Sequence, residues 1–193
     1  MDTKYPGNRI YIKALSVDEI DDRYTSWFSN EDLLKYYSGT KRVWDRAYFI
    51  NEIETGIKEK THYIYGIYMN DTDLLIGNIK VGPIIKVHRI TDFSIFIGDK
   101  DYRGKGIAQE AFVIGNHIAF EIHDLRKISS GMYAENRSSF IALKKSGWVI
   151  EGTRLGHYLV DGKPMDQIQV SSFNPRYFPP KEVAKRFPDE DYV

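Results

Sequence analysis

The chain has 193 residues, 42% of them hydrophobic and 28% charged, a composition typical of one globular domain and not of a disordered chain. Lysine plus arginine and aspartate plus glutamate both number 27, so no net positive field draws the protein to nucleic acid or to an anionic membrane. Cysteine is absent, which excludes disulfides, thiolate metal sites and a cysteine nucleophile. With no long apolar run either, we expect a cytoplasmic protein that binds neither nucleic acid nor membrane.

The N-terminal half mixes strand and helix patterns. Residues 9–15 alternate apolar and polar positions, as a half-buried strand does. Ser16 and Glu19 have capping-box spacing and predict a short helix after that strand. A second helix is predicted over residues 45–60, although Gly56 lies inside it.

Three strands are predicted next. Residues 63–69 and 74–81 are β-rich and are separated by a polar turn, so they predict a hairpin. Gly82-Pro83 is expected to interrupt the second strand, and residues 90–97 form the next one.

The C-terminal half predicts two helices and three strands. Apolar residues recur at helical spacing over 107–122, and Asn136 is placed to cap a further helix that stops at Gly147. Strands are predicted at 127–134, 148–159 and 166–173. The order β-α-α-β-β-β-α-β-α-β-β predicts one α/β (α+β) domain over residues 1–175. The proline-rich, charged residues 176–193 are expected to form an irregular tail.

The turn between the strand at 90–97 and the following helix is the most informative segment. Two glycines, Gly104 and Gly106, allow close backbone approach to a ligand, and the first turn of a helix offers unpaired N–H groups. Arg103 and Lys105 add positive charge, so the turn suits a pyrophosphate. The spacing fits neither a P-loop nor a dinucleotide fingerprint.

The segment resembles the GNAT family of N-acetyltransferases, whose signature Arg/Gln-x-x-Gly-x-Gly/Ala is matched by Arg103, Gly106 and Ala108. A second stretch, from Asn136 to Gly152, is similar to the family's Asn-x-x-Ser, Lys-x-Gly-aromatic and Glu-Gly pattern. The resemblance covers about residues 9–173 and is to the branch with ribosomal-protein and amino-sugar acetyltransferases. It implies a single GNAT-like domain with a mixed, mostly antiparallel sheet of about seven strands and helices on both faces.

The resemblance also implies acetyl-CoA as co-substrate, no metal, and direct transfer of the acetyl group to an amine. The strand at 90–97 would offer backbone groups to the pantetheine arm, and the glycine turn would hold the pyrophosphate. Asn136 would contact the pantetheine side. Ser139 would contact the pantetheine or a phosphate, or is simply an ordinary serine in the first turn of the helix. The implied cofactor contacts are Ile95, Phe96, Ile97, Arg103, Gly104, Lys105, Gly106, Ile107, Ala108, Asn136 and Ser139.

The implied catalytic groups match the family less closely. Asp92 takes the place of the family's Glu and is the candidate general base, directly or through water. The equally weighted alternative is that Asp92 is a solvated carboxylate at the end of a strand. Leu143 stands where the family has a tyrosine general acid, so the proton donor is water or another hydroxyl, with Tyr133 and Tyr158 as candidates.

Candidates for acceptor binding lie outside these motifs. Lys86, His88 and Arg89 form a basic stretch that could meet an anionic acceptor such as a nucleotide diphosphate, or could be a solvated loop. His157 is a further candidate. The five histidines lack paired metal-ligand spacing, so no metal site is predicted.

Three functions follow in order of preference. The first is acetylation of the amino group of a nucleotide-linked amino sugar used in bacterial surface polysaccharide. The second is protein N-terminal acetylation of the ribosomal-protein type, and the third is a non-catalytic acyl-CoA-binding module. The expected partners are acetyl-CoA and a small-molecule amine, with a homodimer as an option.

Overall fold

The computed structural model describes residues 3–37 and 43–188, and its centre is an eight-stranded sheet. The strand order is β1-β2-β3-β4-β5-β6-β8-β7, and every neighbouring pair is antiparallel except β5 with β6. This confirms the mixed, mostly antiparallel sheet, and the count exceeds seven because a two-residue strand joins one edge. The strands are β1 (Tyr5–Pro6), β2 (Ile10–Ala14), β3 (Tyr63–Met69), β4 (Leu75–Ile85), β5 (Ile90–Ile97), β6 (Lys127–Tyr133), β7 (Val149–Val160) and β8 (Lys163–Phe173).

Helices cover both faces of the sheet. Successive strand residues point to opposite faces, and on β5 Ile95 packs against the core beneath α4 while Phe96 belongs to the core beneath α1 to α3. The helices are α1 (Asp22–Ser26), α2 (Glu31–Leu34), α3 (Arg46–Glu59), α4 (Ile107–His117), α5 (Arg137–Lys145) and α6 (Pro180–Arg186). None of the described helices is long and apolar enough to cross a membrane.

Helix α3 is continuous through Gly56, as predicted. Asp45 caps its start by accepting a hydrogen bond from the amide of Tyr48 at 2.8 Å, and Lys60 ends it in a left-handed conformation. A Cβ at Gly56 would lie 2.4 Å from the carbonyl oxygen of His62. The glycine therefore lets the helix pack closely against the start of β3.

Two expectations differ from the structure. Gly82 and Pro83 do not end β4: the strand continues to Ile85, and they form a bulge where its register with β5 shifts. The tail is not irregular throughout, because residues 180–186 form α6 and the ring of Phe187 stacks on Phe173 at 5.8 Å. Residues 189–193 of that tail, and residues 1–2, lie outside the described residues.

Candidate functional site

The main cavity opens where β5 and β6 separate. The two strands pair in parallel over three residue pairs, from Ile90 with Lys127 to Asp92 with Ser129. Beyond that point a cavity of about 830 Å³ lies between them. Residues 94–97 of β5 line one side of it and residues 130–132 of β6 line the other.

The glycine turn forms one end of this cavity. Gly104 and Gly106 have φ of 69° and 76°, in the left-handed region that glycine tolerates best. Gly106 is the N-cap of α4, and it has no side chain to accept from the amides of the first helical turn. These amides and the positive end of the helix dipole make the turn suited to an anion.

Arg9 holds the turn from outside the cavity. Its Nη1 donates to the carbonyl oxygen of Lys105 at 2.7 Å, and its Nε donates to Glu110 Oε2 at 3.0 Å. The backbone amide of Arg9 also donates to Glu110 Oε1 at 2.7 Å, and these bonds lower the pKa of the Glu110 carboxyl although burial opposes them. The acidic side chain in the first turn of α4 is thus drawn away from the anion site.

Arg103 and Lys105 were expected to add positive charge to the turn, but both side chains contact other parts of the protein. Arg103 donates to the carbonyl oxygen of Ile97 from Nε at 2.8 Å and Nη2 at 2.6 Å, and burial lowers its pKa. Lys105 directs its ammonium over the ring of Tyr102, 5.9 Å from the centroid. Arg103 therefore ties the turn to the end of β5.

Most of the expected cofactor contacts surround this cavity. Lys105 is the exception, since it does not line the cavity in the part of the chain the structure describes. Asn136 caps α5 as predicted, accepting from the amide of Ser139 at 3.2 Å. The lining members of the expected set are Ile95, Phe96, Ile97, Arg103, Gly104, Gly106, Ile107, Ala108, Asn136 and Ser139.

The opposite end, here called the aromatic half, is built from side chains of α1 to α3 and β4. The ring of Phe28 stacks on Phe96 of β5 at 4.8 Å, which joins this half to the first. Its polar lining groups are Asp32, Glu52, Asn78 and Lys80, and its aromatic lining residues are Tyr24, Phe28, Tyr36, Tyr37, Trp44, Tyr48 and Phe49.

The sequence reasoning missed the polar groups of the aromatic half. Lys80 Nζ contacts Glu52 Oε2 at 2.6 Å, and Asn78 Nδ2 donates to the hydroxyl of Tyr24 at 2.9 Å. Burial raises the pKa of the Tyr24 hydroxyl. A signal was present: Asn78 and Lys80 are two polar residues on one face of an otherwise apolar strand.

Asp92 lies beside the split but outside the cavity lining. It is on the same face of β5 as Ser94, which lines the cavity, and two residues along a strand span roughly 7 Å. Its side chain is open to solvent on one side. The surrounding protein still removes enough water to raise the pKa of the Asp92 carboxyl above the usual range of an aspartate.

The two candidate proton donors lie behind the cavity wall. The rings of Tyr133 and Tyr158 stack at 3.9 Å, and Tyr36, which lines the cavity, packs on Tyr133 at 5.5 Å. Burial raises the pKa of Tyr133, and the Tyr158 hydroxyl accepts from the amide of Gln167. Neither tyrosine lines the cavity among the described residues, whereas the buried Leu143 does.

The four expected acceptor contacts are not brought to the cavity in the described chain. Lys86, His88 and Arg89 form the turn between β4 and β5, at the end of β5 opposite to residues 94–97. Arg89 is paired with Asp124, donating to its backbone carbonyl from Nε at 2.9 Å. His157 is exposed on β7, an edge strand of the sheet.

Comparison with known proteins decides the family. A model of the acetyltransferase (GNAT) domain matches residues 9–149. The chain belongs to the GNAT family. This family uses acetyl-CoA as co-substrate. Within residues 3–37 and 43–188, no group of three or more histidine, aspartate or glutamate side chains could hold a metal ion.

Individual relatives agree with the family and the fold. The curated spermidine N(1)-acetyltransferase of Escherichia coli K12 is 27% identical over 101 residues, which is 52% of this chain and 54% of that protein. The chain thus matches about half the length of this curated relative. A spermidine N-acetyltransferase from Vibrio cholerae, solved with CoA and spermine, superposes with a TM-score of 0.77 at 19% identity, covering 88% of this chain and 98% of that one. A ribosomal-protein-S5-alanine acetyltransferase from Vibrio fischeri gives a TM-score of 0.78 at 16% identity, covering 92% and 100%.

Proposed function

We propose that this GNAT chain transfers an acetyl group from acetyl-CoA directly to the primary amine of a small molecule. The observation that carries the proposal is one cavity of about 830 Å³ that joins the glycine turn to the aromatic half. A pyrophosphate at the turn and an amine among the aromatic rings would therefore share a single space that passes through the β5/β6 split.

The residues near the split supply the chemistry that direct transfer needs. The amine must be neutral to attack, so Asp92 takes its proton through an intervening water, since the carboxylate does not line the cavity. The new C–N bond forms as the C–S bond breaks, and water relays the proton that the attacking nitrogen then loses to the departing thiolate. Water takes this role because Tyr133 and Tyr158 do not line the cavity among the described residues. No acyl-enzyme is required, in keeping with the absence of cysteine.

For the acceptor we propose an amino sugar. A protonated amine is attracted to aromatic faces, and Glu52 with Lys80 and Asn78 offers both acceptors and donors to hydroxyl groups. The sugar would lie in the aromatic half, and a linked nucleotide would lie outside it, since Lys86, His88 and Arg89 are remote from the cavity. The spermidine acetyltransferase relatives support a polyamine as the second candidate.

A thiol-release assay with an amine panel tests the proposal. The panel holds amino sugars with the amine at carbon 2, 3 or 4, each free and nucleotide-linked, together with spermidine and an N-terminal alanine peptide. We expect CoA release with an amino sugar and a sequential rate law. Release with the peptide alone would favour N-terminal protein acetylation, and tight CoA binding without release on any amine would favour a non-catalytic module. A cytoplasmic location and a homodimer stay predictions.

A further inference from the structure

The ion pair between Lys80 and Glu52 is the one charged contact in which both partners line the aromatic half of the described chain. Lys80 lies on β4 directly opposite Ser94 of β5. Cross-strand partners point to the same face with Cβ atoms about 5 Å apart. The pair therefore lies beside the β5/β6 split, where the reacting amine must arrive.

Glu52 is held in place from a second side. His62 Nε2 donates to the backbone carbonyl oxygen of Glu52 at 2.8 Å and lies 3.7 Å from its carboxylate oxygen Oε2. His62 also fills the space above Gly56 and Gly82, where a Cβ would lie 2.8 Å or less from its side chain. The backbone of Glu52 is thus held against the start of β3 and the β4 bulge, which limits the positions from which its carboxylate can meet Lys80.

The ion pair between Lys80 and Glu52 changes the charge of the cavity wall that an acceptor contacts. Asp32 and Glu52 line the aromatic half as carboxylates, and Asp92 is a third beside the split, whereas Lys80 is a cation. Without Lys80 the described charged residues that line this half would be carboxylates alone, which suits an extended polycation. With Lys80 Nζ at 2.6 Å from Glu52, the charge of that carboxylate is offset and its oxygen Oε2 is occupied by an ammonium that lines the same cavity.

We propose that Lys80 is a specificity-determining residue that selects acceptors with a single amine on a neutral, hydroxyl-bearing body and rejects polyamines. This inference rests on the proposed acetyl transfer. Lys80 already occupies the Glu52 carboxylate, so the second and third ammonium groups of spermidine would find that partner taken and a like charge beside it. In a partly water-excluded cavity like charges repel more strongly than in bulk water. Sugar hydroxyls can instead accept from the ammonium of Lys80 and donate to Glu52.

The test compares kcat/KM for spermidine with kcat/KM for the best amino sugar of the panel, in the wild type, Lys80→Met and Lys80→Gln. We expect the wild type to favour the amino sugar at least tenfold, about 1.4 kcal/mol. Both variants should raise kcat/KM for spermidine about tenfold through KM, lower it for the sugar, and leave KM for acetyl-CoA unchanged. Calorimetric binding of spermidine to each variant gives the same comparison without turnover.

Lys13→Met is the matched control. Lys13 pairs with Glu19 at 3.0 Å and is buried to a similar degree, but it does not line the cavity in the described chain. It should leave the spermidine-to-sugar ratio unchanged. A wild type that prefers spermidine, or a ratio that Lys80→Met and Lys80→Gln do not move, overturns the inference while acetyl transfer itself stands. Absence of CoA release with every amine overturns the proposed function and the inference together.

Discussion

The two halves of the cavity are built in opposite ways. The glycine-turn half comes from one short stretch, residues 103–108, and presents backbone amides whose direction is set by two left-handed glycines. The aromatic half comes from α1 to α3 and β4 and presents side chains that are far apart in the chain, such as Glu52 and Lys80. Recognition by backbone is local in sequence, whereas recognition by side chains depends on tertiary packing.

The largest expected effect breaks the glycine-turn half. Gly106→Val should abolish acetyl-CoA binding, because a β-branched residue is strongly disfavoured at φ of 76° and would move the amides of the turn. A Cβ at Gly106 would meet Arg9 Nη2 at 3.6 Å, an ordinary contact, so protein crowding is not the cause. Calorimetric titration with CoA measures the loss.

Gly162→Val provides the control for this variant. Gly162 has φ of 77°, and a Cβ there would have no neighbour within 4 Å among the described residues. Both variants should lose a similar amount of stability, about 1–2 kcal/mol, but Gly162→Val should keep its CoA affinity. Unchanged CoA affinity in a folded Gly106→Val protein would contradict the assignment of the turn.

A smaller effect is expected at the junction of the halves. Asp92→Asn should lower kcat by about 10² to 10⁴, the usual contribution of a general base, with acetyl-CoA affinity nearly unchanged. A base acts when ionised, so the wild-type rate should fall as pH drops through the raised pKa of Asp92, at higher pH than for an ordinary aspartate. A pH profile of kcat/KM measures this acid limb.

The Asp92→Asn variant should lose that limb and recover part of its rate at high pH, where more of the amine is neutral. Asp161→Asn, in the turn between β7 and β8, removes the same charge far from the cavity, and asparagine tolerates its φ of 50°. Turnover of Asp92→Asn within a few-fold of the wild type at pH 7 would leave Asp92 with a structural role.

An effect of intermediate size is expected at Arg9, which supports the glycine turn without lining the cavity in the described chain. Arg9→Lys should weaken CoA binding about tenfold, because lysine cannot bond the Lys105 carbonyl and Glu110 together in the geometry of a guanidinium. Arg89→Lys is the control, since Arg89 likewise joins a carbonyl and a carboxylate, both of Asp124. Equal loss of CoA affinity in both variants would show a general stability effect.

The smallest effect concerns the tyrosines behind the aromatic half. Tyr158→Phe should change kcat by less than about threefold, because Tyr133 and Tyr36 separate its hydroxyl from the cavity, whereas loss of a true general acid costs far more. Steady-state kinetics with saturating acetyl-CoA measures it. A hundredfold decrease in kcat would instead indicate that Tyr158 is the proton donor.

The sequence predicted the geometry of the glycine turn for a physical reason. Positive φ and a helix N-terminus without a capping side chain favour glycine, so Gly104 and Gly106 indicate the turn without reference to other elements. The same holds for Asn136, whose capping bond joins residues three apart. Local hydrogen bonds and backbone conformations depend on residues that are adjacent in the sequence, so the sequence predicts them.

The charged contact of the aromatic half could not be predicted in this way. Lys80 and Glu52 meet only because β3 pairs with β4 and α3 packs on that hairpin, and neither residue has a local motif. The basic stretch at residues 86–89 misled for a related reason: it is close in sequence to residues 94–97, but an extended strand of several residues places it at the far end of β5. The short edge strand β1 has too few residues to show a period.

The three residue pairs between β5 and β6 have a wider consequence for cohesion. At this seam the sheet consists of two blocks, β1 to β5 and β6 to β8, with little main-chain pairing between them. A ligand bound between the two blocks contacts both of them, so its binding free energy stabilises their association. We expect saturating CoA to slow amide hydrogen exchange in both blocks together, turning two locally opening units into one cooperative unit.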